Sequence, residues 1–202
     1  MLSPETKKDI KISVAIGIVA GALLLPTLRN IGVPLNIQRS FMAVISLVVF
    51  TPLGYLIAYW ISRWIPVVLQ FIKFAIVGGL NAMIDLGILN SLIYATGIAS
   101  GFYYSVFKSL SFLAAVANSY LWNKYWTFHV EGVPRTVEFT KFVLVNLVGF
   151  GINVGAASIV VNSLRIPPGV SAELWANIGA VSAVFISLIW NFLGMKFIVF
   201  KR

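Results

Sequence analysis

The 202-residue chain has no cysteine and a single histidine, His129, which leaves no thiol chemistry, no disulfides and almost no scope for a His/Cys metal site. Carboxylates are scarce too. Glu5, Asp9, Asp85, Glu131, Glu138 and Glu173 are the whole acidic set against 15 Lys+Arg, and no two form the D-x-D pair that could hold a metal-bound nucleotide sugar. No G-x-x-x-x-G-K-[ST] phosphate loop occurs. The expectation is a protein that is not an enzyme, with no catalytic residues, no metal and no cofactor.

Charge of either sign is rare, at 10% of residues, while 59% are hydrophobic and the mean hydropathy is +0.94. A soluble domain could not bury that much apolar surface. A helix crossing a ~30 Å hydrocarbon layer needs about 20 apolar residues, and six stretches qualify: 12–28, 41–61, 74–95, 102–122, 142–164 and 174–193. The alternation of a membrane barrel is missing. The fold class expected is all-α, a polytopic protein with six transmembrane helices.

A net charge of +9 could point to nucleic acid, but the basic residues sort by membrane side instead. With the N-terminus inside, eleven fall on that side (Lys7, Lys8, Lys11, Arg63, Lys73, Lys124, Arg135, Lys141, Lys196, Lys201, Arg202) and three outside (Arg29, Arg39, Arg165); Lys108 lies within a span. By the positive-inside rule the protein is expected in the cell membrane with both termini cytoplasmic, and no nucleic-acid partner is expected. Residues 1–11 read as a short charged lead, followed by a retained first helix, since Pro26-Thr27-Leu28-Arg29 is a poor signal-peptide cleavage site. Gly17 and Gly21 form a G-x-x-x-G pair that permits close helix contact.

The stretch 71–85, FIKFAIVGGLNAMID, carries a polar stripe inward from a basic end, with Gly78, Asn81 and Asp85 on one helix face. The pattern returns 68 residues later. Phe71, Lys73, Phe74 and Val77 match Phe139, Lys141, Phe142 and Val145, and the stripe becomes Asn146, Gly149 and Asn153. A second pair, ANSYLWNKYWTF (117–128) and WNFLGMKFIVF (190–200), aligns Lys124 with Lys196 at an offset of 72. Two hydrophobic hairpins that each begin and end at a basic, aromatic end make a parallel repeat. Nothing before Pro66 matches it, so residues 1–66 are read as an added two-helix hairpin and 67–202 as a four-helix membrane domain.

Two charges lie at membrane depth, where each costs about 2.5–3.5 kcal/mol. Asp85 sits ~9 Å from the outer boundary of the hydrocarbon layer, and Lys108 is ~9 Å below the same boundary. Adjacent antiparallel helices could pair them, either to hold the hairpin or to bind a polar group. Asn81, Asn118, Asn123, Asn146, Asn153 and Asn191 add amides that either bond between helices or, with Asp85 and Lys108, line a polar cavity suited to sugar hydroxyls. Lys73, Lys124, Lys141 and Lys196 lie at equivalent ends among aromatics, as interfacial anchors or as ligands of a lipid phosphate. His129 reads as a solvated loop residue.

The motifs F-x-K-F-x-x-V-G-G-x-N-x-x-x-D, A-N-S-Y-L-W-N-K-Y-W-T-F, the second F-x-K-F and N-F-L-G-M-K-F-I-V-F, in that order, resemble the GtrA-like family of four-helix membrane proteins. That family includes the membrane domain of dolichol-phosphate mannose synthases. The resemblance covers about residues 68–202 and is weaker in the second half, where Met195 stands in the place of Asn123. It implies flipping of a polyprenyl-phosphate-linked monosaccharide across the membrane. The alternative is a non-catalytic membrane subunit or anchor of a polyprenyl-phosphate glycosyltransferase, and a third reading is a cation or drug transporter using Asp85 as a proton-linked carboxylate. Implied partners are the sugar-linked lipid, membrane lipids and, on the alternative, a membrane glycosyltransferase; oligomerisation is left open.

Overall fold

The computed structural model describes residues 2–169 and 171–201, apart from the side chains of 172–174. The Glu173 side chain and Arg202 lie outside that description. Six α-helices are present among the described residues: α1 Pro4–Asn30, α2 Ile37–Ile61, α3 Val67–Thr96, α4 Gly101–Trp122, α5 Thr136–Ser163 and α6 Ala172–Gly194. Two π-helical turns, Asn123–Thr127 and Met195–Val199, continue α4 and α6.

Local chemistry sets the ends. Ser3 caps α1 by accepting from the Thr6 amide, and Pro4 opens the first turn. Asn36 caps α2 through the Arg39 amide. Gly97 stops α3 in the left-handed region at φ 71°, where a side chain would be strained. The α5–α6 link contains Pro167, Pro168 and Gly169, with Gly169 at φ 83°. The charged lead expected over residues 1–11 is instead the first turns of α1: the cap at Ser3 starts the helix at Pro4, eight residues before the expected apolar span.

Among the described residues, five helices are long and apolar enough to cross a membrane: Pro4–Asn30, Ile37–Ile61, Val67–Thr96, Thr136–Ser163 and Trp175–Val199. The sixth, α4, has the length, at 22 residues, but Lys108, Asn118, four serines and three tyrosines dilute its hydropathy. It nonetheless runs back along α3. Lys108 and Ser111 meet Asp85, Asn118 meets Asn81, and Gln70 reaches Thr127 at the far end, so the two helices are antiparallel over their common length.

The chain packs as two compact units, Met1–His129 and Val130–Arg202. Packing thus groups the first two helices with the first repeated hairpin, whereas the sequence repeat begins after Pro66. In the first unit α1 lies antiparallel to α2 and parallel to α3. Gly17 and Gly21 bring the α1 backbone onto Leu47, Val48 and Val44 of α2, and Gly87 of α3 lies under Leu23. Ile16, Ala20, Val77, Leu80 and Trp126 form the buried core. At the other end Asn30 bonds Asn90, which also donates to Thr27.

The second unit is one hairpin. Trp175 donates to the Val160 carbonyl near its turn, Asn153 to Ser187 in its middle, and Trp190 to the Val145 carbonyl near its basic end. Phe142, Val145, Ala183, Phe192 and Met195 are buried. The outward faces of both units are apolar, as on α2, where Phe41, Val49, Phe50, Leu53 and Ile57 are exposed. In water that would be an aggregation surface; against lipid it is a match.

The close α1–α2 approach gives a test. A Cβ at Gly17 would lie 2.5 Å from the Leu47 carbonyl oxygen, whereas one at Gly78 would meet nothing within 4 Å. Gly17→Ala is expected to destabilise by about 1–3 kcal/mol through overpacking, with Gly78→Ala neutral or slightly stabilising, in thermal unfolding of the purified protein in detergent. Equal melting temperatures for Gly17→Ala and the parent protein would mean that the helices do not meet there.

Candidate functional site

The basic end of the first unit is organised by a residue that sequence reasoning passed over. Asp9, two turns into α1, is 5% exposed. Its carboxylate forms an ion pair with Lys73 of α3 and accepts from the Tyr55 hydroxyl of α2 at 3.1 Å and from Trp126 Nε1 at 2.8 Å. Both oxygens are used. Lys73 is 3% exposed, with its ammonium 5.4 Å from the Trp126 ring centroid and 6.0 Å from that of Tyr55. A carboxylate among Lys7, Lys8 and Lys11 looks like a solvated member of a charged segment. The available signal was its spacing: Asp9, Ser13, Ile16 and Ala20 share one face of α1, and all are buried.

Lys124 lies in the first π-helical turn, 1% exposed, near the rings of Tyr120 and Tyr125. Lys196 takes the same place in the second turn, half-buried between Phe192 and Phe197. The two turns are closed by equivalent i→i+5 bonds, Phe128 N–H to Asn123 O at 2.9 Å and Phe200 N–H to Met195 O at 2.8 Å. Both pairs are separated by 72 residues, the offset of the sequence repeat. A π-turn inserts one residue into a helix, rotates the side chains beyond it and is frequent at functional sites. Lys141, on α5, is exposed. Of the four lysines, then, two are buried in the first unit and two are more accessible in the second.

The charges expected at matching depth do meet. Lys108 forms an ion pair with Asp85, and Ser111 donates to the other Asp85 oxygen at 2.6 Å. The second repeat has neutral chemistry at the corresponding place, where Asn153 donates to Ser187 at 3.2 Å. The remaining amides are engaged or packed. Asn118 donates to Asn81 at 2.6 Å across α3 and α4, while Asn146 and Asn123 donate to carbonyls four residues back, those of Phe142 and Ser119. Asn191 packs against Gly149. Among the described residues, Asn123 Oδ1, Thr127 Oγ1 and Asn191 Oδ1 are buried without a hydrogen-bond partner.

A groove of about 360 Å³ opens beside Asp9, between the start of α1 and the end of α4, and none of the eight residues expected to line a polar cavity borders it. Lys8, Trp122, Tyr125 and Trp126 contribute walls, and Glu5 and His129 face each other across its rim at 3.6 Å. His129 is an exposed loop residue, as expected from the sequence, and its φ of 53° places it in the left-handed region.

The Asp85–Lys108 contact predicts non-additivity. Asp85→Asn and Lys108→Met are each expected to destabilise, and the double variant to recover part of the loss, with a coupling of about 1 kcal/mol. A double-mutant cycle of thermal stabilities checks this; strictly additive losses would mean the charges do not interact.

Comparison with known proteins bears on this geometry. Residues 73–200 match the family described as GtrA/DPMS, transmembrane domain. The chain is also 32% identical over 80 residues to an uncharacterized membrane protein, YngA, of Bacillus subtilis (strain 168), a match covering 40% of this chain and 51% of that one. The chain thus spans about half the length of that relative. No solved structure matches. Because the match takes in both repeated hairpins and both π-helical turns, this multi-pass membrane protein belongs to the GtrA/DPMS transmembrane-domain family.

Proposed function

We propose that the protein translocates a polyprenyl-phosphate-linked monosaccharide across the cell membrane, with both termini and the basic ends of its hairpins in the cytoplasm. The observation that carries this reading is the repeated π-helical turn with a lysine among aromatic rings, Lys124 in one hairpin and Lys196 in the other. Lysine held among aromatics at the interface suits the phosphate of a carrier lipid. Family membership supports the same class of substrate.

The available charge differs between hairpins. Lys73 is neutralised by Asp9 and Lys124 is almost wholly buried, so a lipid phosphate reaches Lys141 and Lys196 more readily. Farther along the helices, the partly exposed Asp85–Lys108 pair and the Asn81–Asn118 bond are polar groups that sugar hydroxyls would engage by exchanging these internal bonds. The second reading, a non-catalytic subunit of a glycosyltransferase, is favoured by one point: the family description joins GtrA with DPMS membrane domains.

The discriminating experiment is reconstitution of the purified protein alone into liposomes carrying a polyprenyl-phosphate sugar. Protein-dependent movement of the sugar across the bilayer is expected. The Lys141→Gln/Lys196→Gln double variant should bind the lipid ~30-fold more weakly, at about 1 kcal/mol per lysine. Cysteine tags at Leu2 and Arg202 should stay inaccessible to an impermeant reagent outside intact cells. Folded protein that moves no sugar-lipid, but binds and activates a glycosyltransferase, would replace translocation with the subunit reading.

A further inference from the structure

The first repeated hairpin contains the makings of an anion site that already holds an anion. Three donors of different chemistry, the Lys73 ammonium, the Tyr55 hydroxyl and the Trp126 indole N–H, converge on one carboxylate. Lys73 and Trp126 lie in the family-matched region, whereas Asp9 comes from α1, outside it. The second hairpin lacks such an occupant: Lys141 corresponds to Lys73 and is exposed, and Ile198, with no side-chain donor, corresponds to Trp126. The groove opens onto this cluster, with Asp9 and Trp126 in its wall and Lys8 adding a second cation beside it. Glu5 is the other carboxylate at that rim, and it faces His129.

We propose that the cradle of Tyr55, Lys73 and Trp126 is a binding site for a phosphate headgroup, and that Asp9 is its internal occupant, displaced when a phosphate enters through the groove. A phosphate monoester carries more negative charge than a carboxylate and has three acceptor oxygens. It can take the bonds of Lys73 and Trp126 and reach Lys8 as well. Displacement frees the first turns of α1, which Asp9 otherwise ties to α3. The proposal rests on the lipid-phosphate reading of the basic end, which already includes Lys73, and adds Asp9 as the internal competitor that controls access to it.

The test uses full-length protein in detergent micelles with two probes, inorganic phosphate and phosphatidic acid, and reads tryptophan fluorescence and melting temperature. Asp9→Asn removes the competing anion and is expected to tighten phosphatidic acid binding at least tenfold. Asp9→Asn/Lys73→Met is expected to abolish that gain. Stabilisation of Asp9→Asn by inorganic phosphate as well would place recognition in the phosphate group itself; a response to phosphatidic acid alone would place it in a lipid headgroup. No gain in folded Asp9→Asn with either probe, or a gain that survives Lys73→Met, would overturn the proposal. Should Asp9→Asn fail to fold, Thr6→Cys in the otherwise native chain gives a second measurement. Thr6 is buried one turn before Asp9 and the chain has no other cysteine. Phosphatidic acid is expected to speed maleimide labelling at this site relative to phosphatidylcholine, and equal rates would overturn the proposal.

Discussion

A carboxylate withdrawn from water must be met by a cation and by enough donors to satisfy its lone pairs, and Asp9 obtains these from three other elements. Lys73 on α3 supplies the charge, Tyr55 on α2 the hydroxyl, and Trp126 in the first π-helical turn the indole N–H. Removing one partner of such a buried pair typically costs about 3–5 kcal/mol, because the other is left charged and dry. The four elements are thereby fixed to one another at the basic end. Farther along, the same helices meet through glycines, Gly17 and Gly21 against α2 and Gly87 under Leu23. In lipid, where burying apolar surface brings no gain between helices, close packing and polar bonds of this kind hold a bundle together.

This dependence explains why the two repeated hairpins, alike in sequence, differ in chemistry. The first has a charged pair at depth, Asp85 with Lys108, and a neutralised lysine at its basic end. The second has Asn153 with Ser187 at depth and an exposed Lys141 at its basic end. Lys73 and Lys108 of the first hairpin are ion-paired with Asp9 and Asp85, whereas Lys141 of the second is exposed. The π-helical turns are common to both, which ties that feature to the repeat and not to the added α1–α2 hairpin.

Much of this was legible in the sequence. Hydropathy located the helices, and the estimated depths of Asp85 and Lys108 brought together two residues that do meet. The match of Lys124 to Lys196 anticipated that the two turns are equivalent. Three things were hidden for physical reasons. Asp9 sits among lysines near the N-terminus, and the cap at Ser3, the proline that opens the first turn and the spacing of Asp9 to Ser13, Ile16 and Ala20 are what reveal that the helix has already begun. The burial of Lys73 depends on that carboxylate, so it could not be read from the F-x-K-F motif alone. A π-turn differs from an α-turn by one residue in hydrogen-bond register, which leaves no compositional trace.

Asp9 and Lys73 hold the basic end of the first unit together as one pair, and a double-mutant cycle on them tests this most directly. Asp9→Asn, Lys73→Met and the double variant would be compared with the parent protein by thermal unfolding in a single detergent. The expected result is a large loss for each single variant, a double variant more stable than either, and a coupling of about 2–3 kcal/mol. Independent, additive losses would contradict the buried pair and, with it, the fastening of the first hairpin to the rest of its unit.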